Sequence, residues 1–279
     1  MMFPAGGIFY EKLMLKFIHA TDTHLLQSRD ELHGIAPNQR LVACFTHIRA
    51  HHPDTAFVAV TGDVAERGEY DAYLFMREQA RRFALPVLLV PGNHDCLPAM
   101  QAVFPTFSGA VDALAPLAYL AGRLRTSGGT FLFLDTSAAN VAHGVFAQAR
   151  AAKLSLWMEE TYDDIFLFMH HPPFRVGIPF MDSIRLIDPE PLYAALLPYK
   201  NSVRHIFLGH LHKSVAGVWR SIPFSVARST VHQVRAKTTP YNGAMGCDEE
   251  PEYSVVTVSK DSIICRAERF AEKVRDFPL

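Results

Sequence analysis

Val87-Leu88-Leu89-Val90-Pro91-Gly92-Asn93-His94-Asp95 carries in nine residues the pattern on which the whole chain is built. Four aliphatic residues run without alternation, as in a strand covered on both faces. Pro91-Gly92 breaks the run, and three polar side chains follow at once. The same order recurs along the chain. Residues 15–20 lead into Asp22-Thr23-His24, and residues 56–60 into Gly62-Asp63. Residues 165–169 lead into His170-His171-Pro172-Pro173, and residues 205–208 into Gly209-His210-Leu211-His212. A sixth apolar run covers 131–134. Helical patterns lie between them: 38–51 with Leu41, Val42, Phe45 and Ile48 on one face, 69–83, 147–160, and a short helix opened by Pro189-Glu190-Pro191. After His212 the segments 215–219, 224–227, 253–258 and 262–266 read as strands without long helices between them. Residues 238–251 read as an exposed loop. Periodicity alone therefore predicts an α/β chain with a β-rich end.

The five clusters contain carboxylates, imidazoles and one amide. Oxygen and nitrogen donors without thiolate suit borderline divalent or trivalent metals. A carboxylate such as Asp63 has two oxygens and can bridge two ions roughly 3.5–4 Å apart. Ligands of open α/β sheets bind at the carboxyl ends of strands, which is where each cluster falls. Gly62, Gly92 and Gly209 each precede a candidate ligand, where the backbone must turn sharply close to an ion. One DxH or HxH motif means little; five clusters in this order mean a good deal.

At 279 residues with 49% hydrophobic content, the chain can bury a large core. The net charge of -1 gives no support to binding of a nucleic acid polymer or a membrane surface. No run approaches the roughly 20 apolar residues of a membrane span. Cys44, Cys96, Cys247 and Cys265 form no CxxC pair, which favours reduced thiols and a cytoplasmic setting. Cys96 is expected to be a buried, inert thiol. Residues 1–13 are expected to be an N-terminal extension preceding the first strand, and no signal peptide is legible in them.

The motifs Asp-x-His, Gly-Asp, Gly-Asn-His-Asp, His-x-Pro and Gly-His-x-His, in this order, resemble the calcineurin-like metallophosphoesterases. The stretches Glu31-Leu32-His33-Gly34, Glu66-Arg67-Gly68-Glu69-Tyr70 and Gly177-Ile178-Pro179-Phe180-Met181-Asp182 resemble more closely the class III cyclic nucleotide phosphodiesterases and their glycerophosphodiesterase relatives. The resemblance implies a four-layer αββα sandwich. It implies a catalytic domain over 14–234 and a β-rich segment over 235–279 that caps the site entrance or joins a second subunit. It places Asp22, His24 and His212 at a first metal, Asn93, His170 and His210 at a second, and Asp63 between them. The metals would be two ions drawn from iron, manganese, zinc and cobalt. His94 would face the substrate phosphate as an acid or hydrogen-bond donor, with Asp95 orienting its other ring nitrogen. His171, adjacent to a ligand, would turn toward a supporting position or the substrate. His33, Met181 and His232 are further candidates for substrate contact. The remaining histidines, His19, His47, His51, His52, His143 and His205, read as surface or core residues.

The activity implied is hydrolysis of small soluble phosphodiesters, cyclic nucleotides or glycerophosphodiesters, by a metal-bridging hydroxide. Two rivals stay open: a phosphomonoesterase or protein phosphatase on the same scaffold, and a non-catalytic scaffold. Glu66 stands where protein phosphatases carry a second Asp after Gly-Asp. A homo-oligomer also stays open.

Overall fold

Phenylalanine alternates with aliphatic residues in the apolar runs of the second half: Phe131 and Phe133, Phe166 and Phe168, then Phe207. Alternate residues of a strand point to opposite faces, so these rings share one face. A computed structural model of the protein, describing residues 14–27, 30–104, 122–161, 163–235 and 245–270, shows what that face meets. In chain order the elements are β1 (Leu15–Ala20), α1 (Pro37–His51), β2 (Val58–Thr61), α2 (Tyr70–Arg82), β3 (Val87–Val90), α3 (Leu97–Val103), β4 (Gly122–Thr126), β5 (Gly129–Leu134) and α4 (Gln148–Glu159). There follow β6 (Ile165–Met169), α5 (Pro179–Ser183), α6 (Glu190–Leu196), β7 (Val203–Leu208), β8 (Val215–Trp219), β9 (Ile222–Val226), β10 (Gln233–Arg235), β11 (Met245–Cys247), β12 (Glu252–Val258) and β13 (Ile263–Arg269).

The strands form a five-stranded sheet, β13-β12-β1-β2-β3, a six-stranded sheet, β4-β5-β6-β7-β9-β8, and the small β10-β11 ladder. The two large sheets meet across an aromatic layer. Phe17 and Phe57 from the first sheet side pack with Phe131, Phe133, Phe166, Phe168 and Phe207 of the second. Phe133, Phe168 and Phe207 stack in a row across three strands, with centroids 4.7 and 4.8 Å apart. The outer faces are covered by helices. Ile18, Val58, Val60, Val87 and Leu89 pack under Leu41, Phe45, Tyr73, Met76 and Met100 of α1, α2 and α3. Leu132, Leu167, Met169, Ile206 and Leu208 pack under Leu154, Trp157 and Leu192 of α4 and α6. This is the αββα sandwich expected.

Several boundaries differ from the sequence reading. The helices α3 and α5 and the strand β4 were not expected. The helices span seven and five residues, too few for a periodic face, and β4 carries Arg123 and Arg125. Beyond Arg235, β12 and β13 belong to the five-stranded sheet itself. β12 inserts between β1 and β13, pairing Leu15 with Val258 through His19 with Ser254. Tyr253, Val255 and Val256 are buried in the body of the sandwich. Part of the expected loop 238–251 is also strand, since Met245–Cys247 pairs with Gln233–Arg235. The rest of that loop, 236–244, and the expected extension 1–13 lie outside the described residues.

β1, β2 and β3 run parallel, as do β5, β6, β7 and β9. Their carboxyl ends lie on one side, and the loops that leave them are hydrogen-bonded to each other. Asp22 N–H donates to Gly62 O, His24 N–H to Asp63 O, Gly209 N–H to His170 O, and Thr230 N–H to Thr21 O. The two sheets thereby bring their polar clusters to one place.

Candidate metal centre

Five of the seven expected ligands, Asp22, His24, Asp63, His210 and His212, have left-handed backbone conformations, with φ between 41° and 72°. Asp and His are among the residues that tolerate this region, but it still costs of order 1–3 kcal/mol per residue and is found where a site demands it. Gly62 turns in the same region at φ 94°, and a Cβ there would run into the His170 ring. Sharp turns at both loop bases aim short side chains inward over the strand ends.

Asp22 is fully buried. Its Oδ2 accepts from Thr21 Oγ1–H at 2.7 Å and His210 N–H at 3.0 Å. Its Oδ1 has no hydrogen-bond partner among the described residues and lies 3.2 Å from His212 Nε2. Asp63 Oδ1 accepts from His94 N–H at 2.9 Å, while Oδ2 lies 3.3 Å from His170 Nε2 and 4.0 Å from His24 Nε2. That oxygen stands between the two histidine groups, in the bridging place expected of it.

Hydrogen bonds behind the histidines set their tautomers. His24 Nδ1–H donates to Glu66 Oε2 at 2.7 Å, and His212 Nδ1–H donates to the His232 carbonyl at 2.8 Å. Each neutral ring then has a lone pair on Nε2, and these two Nε2 atoms face each other 3.0 Å apart. His170 Nδ1–H donates to the Thr61 carbonyl at 2.7 Å, and its Nε2 faces Asp63 Oδ2, Asn93 Oδ1 at 3.3 Å and His210 Nδ1 at 3.2 Å. Acceptor lone pairs converging at these distances repel unless a cation or proton lies between them. The donor set is nitrogen and oxygen throughout, as two borderline metal ions require. The residues fit the pair: Asp22, His24, Asp63 and His212 for the first, and Asp63, Asn93, His170 and His210 for the second.

Electrostatics among the protein groups point the same way. Burial opposes ionisation of Asp63, yet His170 holds its carboxyl well below the usual range. Burial likewise opposes the charge on Asp22, and His212 keeps it ionised. Burial would lower the pKa of His170, but the Asp63 carboxylate lifts it to about 9, while burial and the neighbouring His170 push His210 down to about 3. The buried carboxylates thus favour positive charge beside them, which metal ions would bring.

A cavity of about 200 Å³ opens over this centre, and its lining includes the imidazoles of His24, His33, His212 and His232 and the apolar side chains of Phe180, Met181 and Ile184. His94 lines it too, with its ring edge-on to His24 at 4.9 Å. His94 Nδ1–H donates to the Glu66 carbonyl at 2.8 Å, so Nε2 is the nitrogen left for a substrate. Burial opposes protonation of His94, but the Asp63 carboxylate and the Glu66 carbonyl raise its pKa overall. Bound metal ions would push the other way.

Three expectations need correction. Asp95 does not orient His94. Its carboxylate accepts from the backbone N–H groups of Val64, Ala65 and Gly92 and from Tyr73 Oη, and so ties the β2 and β3 loops together. His171 is buried and does not line the cavity, so it is not placed to touch substrate. Cys96 is exposed rather than buried, and all four cysteines are free. His33, Met181 and His232 do line the cavity. The residue that sequence reasoning missed is Glu66. It orients His24, lies 3.6 Å from His94 Nδ1 through its carboxylate, and lines the cavity. Its signal was in plain view: an acid three residues past Asp63 on the same strand-end loop.

An αββα sandwich with this cluster at its strand ends defines a metallophosphoesterase. Residues 15–214 match the model of the calcineurin-like phosphoesterases, and the chain belongs to that family. It is 35% identical, over 90% of each chain, to a probable cyclic nucleotide phosphodiesterase of Rhodopseudomonas palustris. It is 30% identical to a glycerophosphodiester phosphodiesterase of Enterobacter lignolyticus, over 80% of this chain and 81% of that one. In fold it resembles a dimetal phosphatase from Danio rerio, with a TM-score of 0.67 at 13% identity over 92% of this chain and 96% of that one. Among the described residues no helix is long and apolar enough to cross a membrane.

Proposed function

We propose that the protein hydrolyses small phosphodiesters at a two-metal centre, with cyclic nucleotides as the preferred class and glycerophosphodiesters as the second. The observation that carries this reading is the cavity lining. Around the centre stand imidazoles, one amide, Asp63, Glu66 and apolar side chains, with no Lys or Arg among the described lining residues. A monoester dianion is best met by guanidinium or ammonium groups. A diester carries one negative charge and two organic arms, which suits this lining better. Phe180, 40% exposed at the cavity wall, and the neighbouring Met181 and Ile184 offer apolar surface to a nucleobase or alcohol arm. Both relatives named above are phosphodiesterases by name, the more similar one for cyclic nucleotides.

When bound, the metal ions supply Lewis acidity toward a phosphoryl oxygen and lower the pKa of water. Asp22, His24, Asp63, Asn93, His170, His210 and His212 hold them, and identities among iron, manganese, zinc and cobalt suit the donors. Glu66 keeps His24 in the tautomer that presents Nε2. His94, anchored through Nδ1, presents Nε2 to the substrate and donates a proton or hydrogen bond to the leaving oxygen. His232 lines the cavity, its buried Nδ1 has no hydrogen-bond partner among the described residues, and the His33 ring lies edge-on to it at 5.8 Å. Together they meet the non-reacting part of the diester. The free thiols support a cytoplasmic setting.

A panel of bis-p-nitrophenyl phosphate, cyclic AMP, glycerophosphoethanolamine and p-nitrophenyl phosphate on metal-defined protein tests the reading. The expected order puts both diesters of biological type well above the monoester in kcat/KM. A monoester turned over faster than every diester would overturn it.

A further inference from the structure

Three of the four ligand imidazoles are oriented by a hydrogen bond on the nitrogen turned away from the centre. Glu66 does this for His24, the Thr61 carbonyl for His170, and the His232 carbonyl for His212. His210 is the exception. Its Nδ1 lies 3.2 Å from His170 Nε2 and so faces the second metal position. The proton of the neutral ring then sits on Nε2, and that buried atom has no hydrogen-bond partner among the described residues. The ring has a packed neighbour instead. His171 lies against it with centroids 4.7 Å apart and planes at 52°, and stands edge-on to His170 at 4.7 Å.

His171 is itself held at both nitrogens. Thr136 Oγ1–H donates to Nδ1 at 2.8 Å, Nε2–H donates to the Ala142 carbonyl at 3.3 Å, and the His171 backbone N–H returns to Thr136 Oγ1 at 3.3 Å. The Gly144 backbone closes the far side: a Cβ there would lie 2.6 Å from the His171 side chain. The loop that supplies Thr136, Ala142 and Gly144 is anchored by Arg150, which donates to the Ser137 and Val145 carbonyls and pairs with Asp135 at 3.1 Å. A rigid loop thus pins one imidazole, and that imidazole packs on the one ligand ring with no hydrogen bond behind it.

We propose that His171 is a positioning residue for the second metal, orienting His210 by ring contact where the other ligands are oriented by hydrogen bonds. The proposal rests on the two-metal reading. Supporting contacts of this kind are worth about 10–100-fold in metal affinity.

The test titrates Mn(II) onto the chelator-stripped full chain, with free Mn(II) read by electron paramagnetic resonance and bound metal by elemental analysis. Wild-type protein should take up two ions, and Asn93→Ala should lose the second. His171→Leu should keep the first affinity and the melting temperature near wild type while the second site weakens about 10–100-fold. Thr136→Val, which frees the His171 ring but keeps its bulk, should shift the second site in the same direction by less. Two wild-type ions with unchanged second-site affinity in either folded variant would overturn the proposal and leave the two-metal reading standing. Equal weakening of both sites in Thr136→Val would also overturn it, because the role would then be general packing. A wild-type chain that takes up one ion only would sink the two-metal reading itself.

Discussion

Replacing Glu66 with glutamine changes one charge behind the first metal and leaves the rest of the lining in place. Glu66 Oε2 accepts from His24 Nδ1–H at 2.7 Å, its side chain is 19% exposed, and no other protein group holds that ring nitrogen among the described residues. A hydrogen bond to a charged group contributes about 1.5–3 kcal/mol to its partner's placement, and each 1.4 kcal/mol is about tenfold in affinity. Glutamine keeps a carbonyl acceptor, so Glu66→Gln should weaken the first metal about tenfold and Glu66→Ala about 100-fold, in line with the usual effect of such partners. A second effect follows through His94. Its pKa is raised by Asp63, then by the Glu66 carbonyl and the Glu66 charge. Removing the charge lowers that pKa. If His94 acts as the acid, activity persists below its pKa, so the alkaline limb of kcat/KM should move to lower pH. Chelator competition for each metal and a pH profile at saturating metal measure the two effects separately. Unchanged first-metal affinity in Glu66→Ala, with His24→Ala losing that ion, would refute the orienting role.

His94→Ala should retain both metals and lose roughly 10²–10⁴-fold in rate, with the loss smaller for nitrophenol than for alkyl leaving groups; equal losses would place its action on the phosphoryl oxygens. Phe180→Ala, at an exposed wall position, and Met181→Ala should change the ratio of cyclic nucleotide to glycerophosphodiester activity, and a uniform loss with a lower melting temperature would make this segment ordinary core. His205, between the sheets with Nε2 to Ser225 Oγ at 2.9 Å, has its pKa lowered by burial from 6.5 to about 4. Its folded state binds a proton less readily than the unfolded chain, so its stabilising contribution is full above pH 6.5 and is lost as pH falls toward 4, by up to about 3 kcal/mol. Denaturant unfolding of wild type and His205→Gln across that window should show a shallower slope for the variant; parallel slopes would assign the acid sensitivity elsewhere.

Residue identity alone determined the donor set. Ligand chemistry is carried by side-chain type, and strand-end placement is carried by a short apolar run followed by a turn, both local properties. The family resemblance of the motifs then picked Asp22, His24, Asp63, Asn93, His170, His210 and His212 out of the strand-end clusters, and the structure brings them together at the centre. The runs by themselves gave an α/β chain and the family resemblance supplied the layers, but the packing of Phe131, Phe133, Phe166 and Phe168 against one shared core became visible only when two sheets faced each other. What the tertiary structure decided is the set of supports behind the ligands. Asp95 is two residues from Asn93 yet serves the β2 loop, while Glu66, nearly thirty residues from His94 in the chain, is the acid beside it. His171 follows a ligand directly, but beyond the end of β6 its ring turns to Thr136 and Ala142. β12, far along the chain, lies beside β1 because an antiparallel strand needs only a free edge and a matching apolar face, not sequence proximity. Such contacts join segments by packing between loops and strands distant in the chain, and no short-range pattern encodes which distant backbone amide or imidazole will be the neighbour.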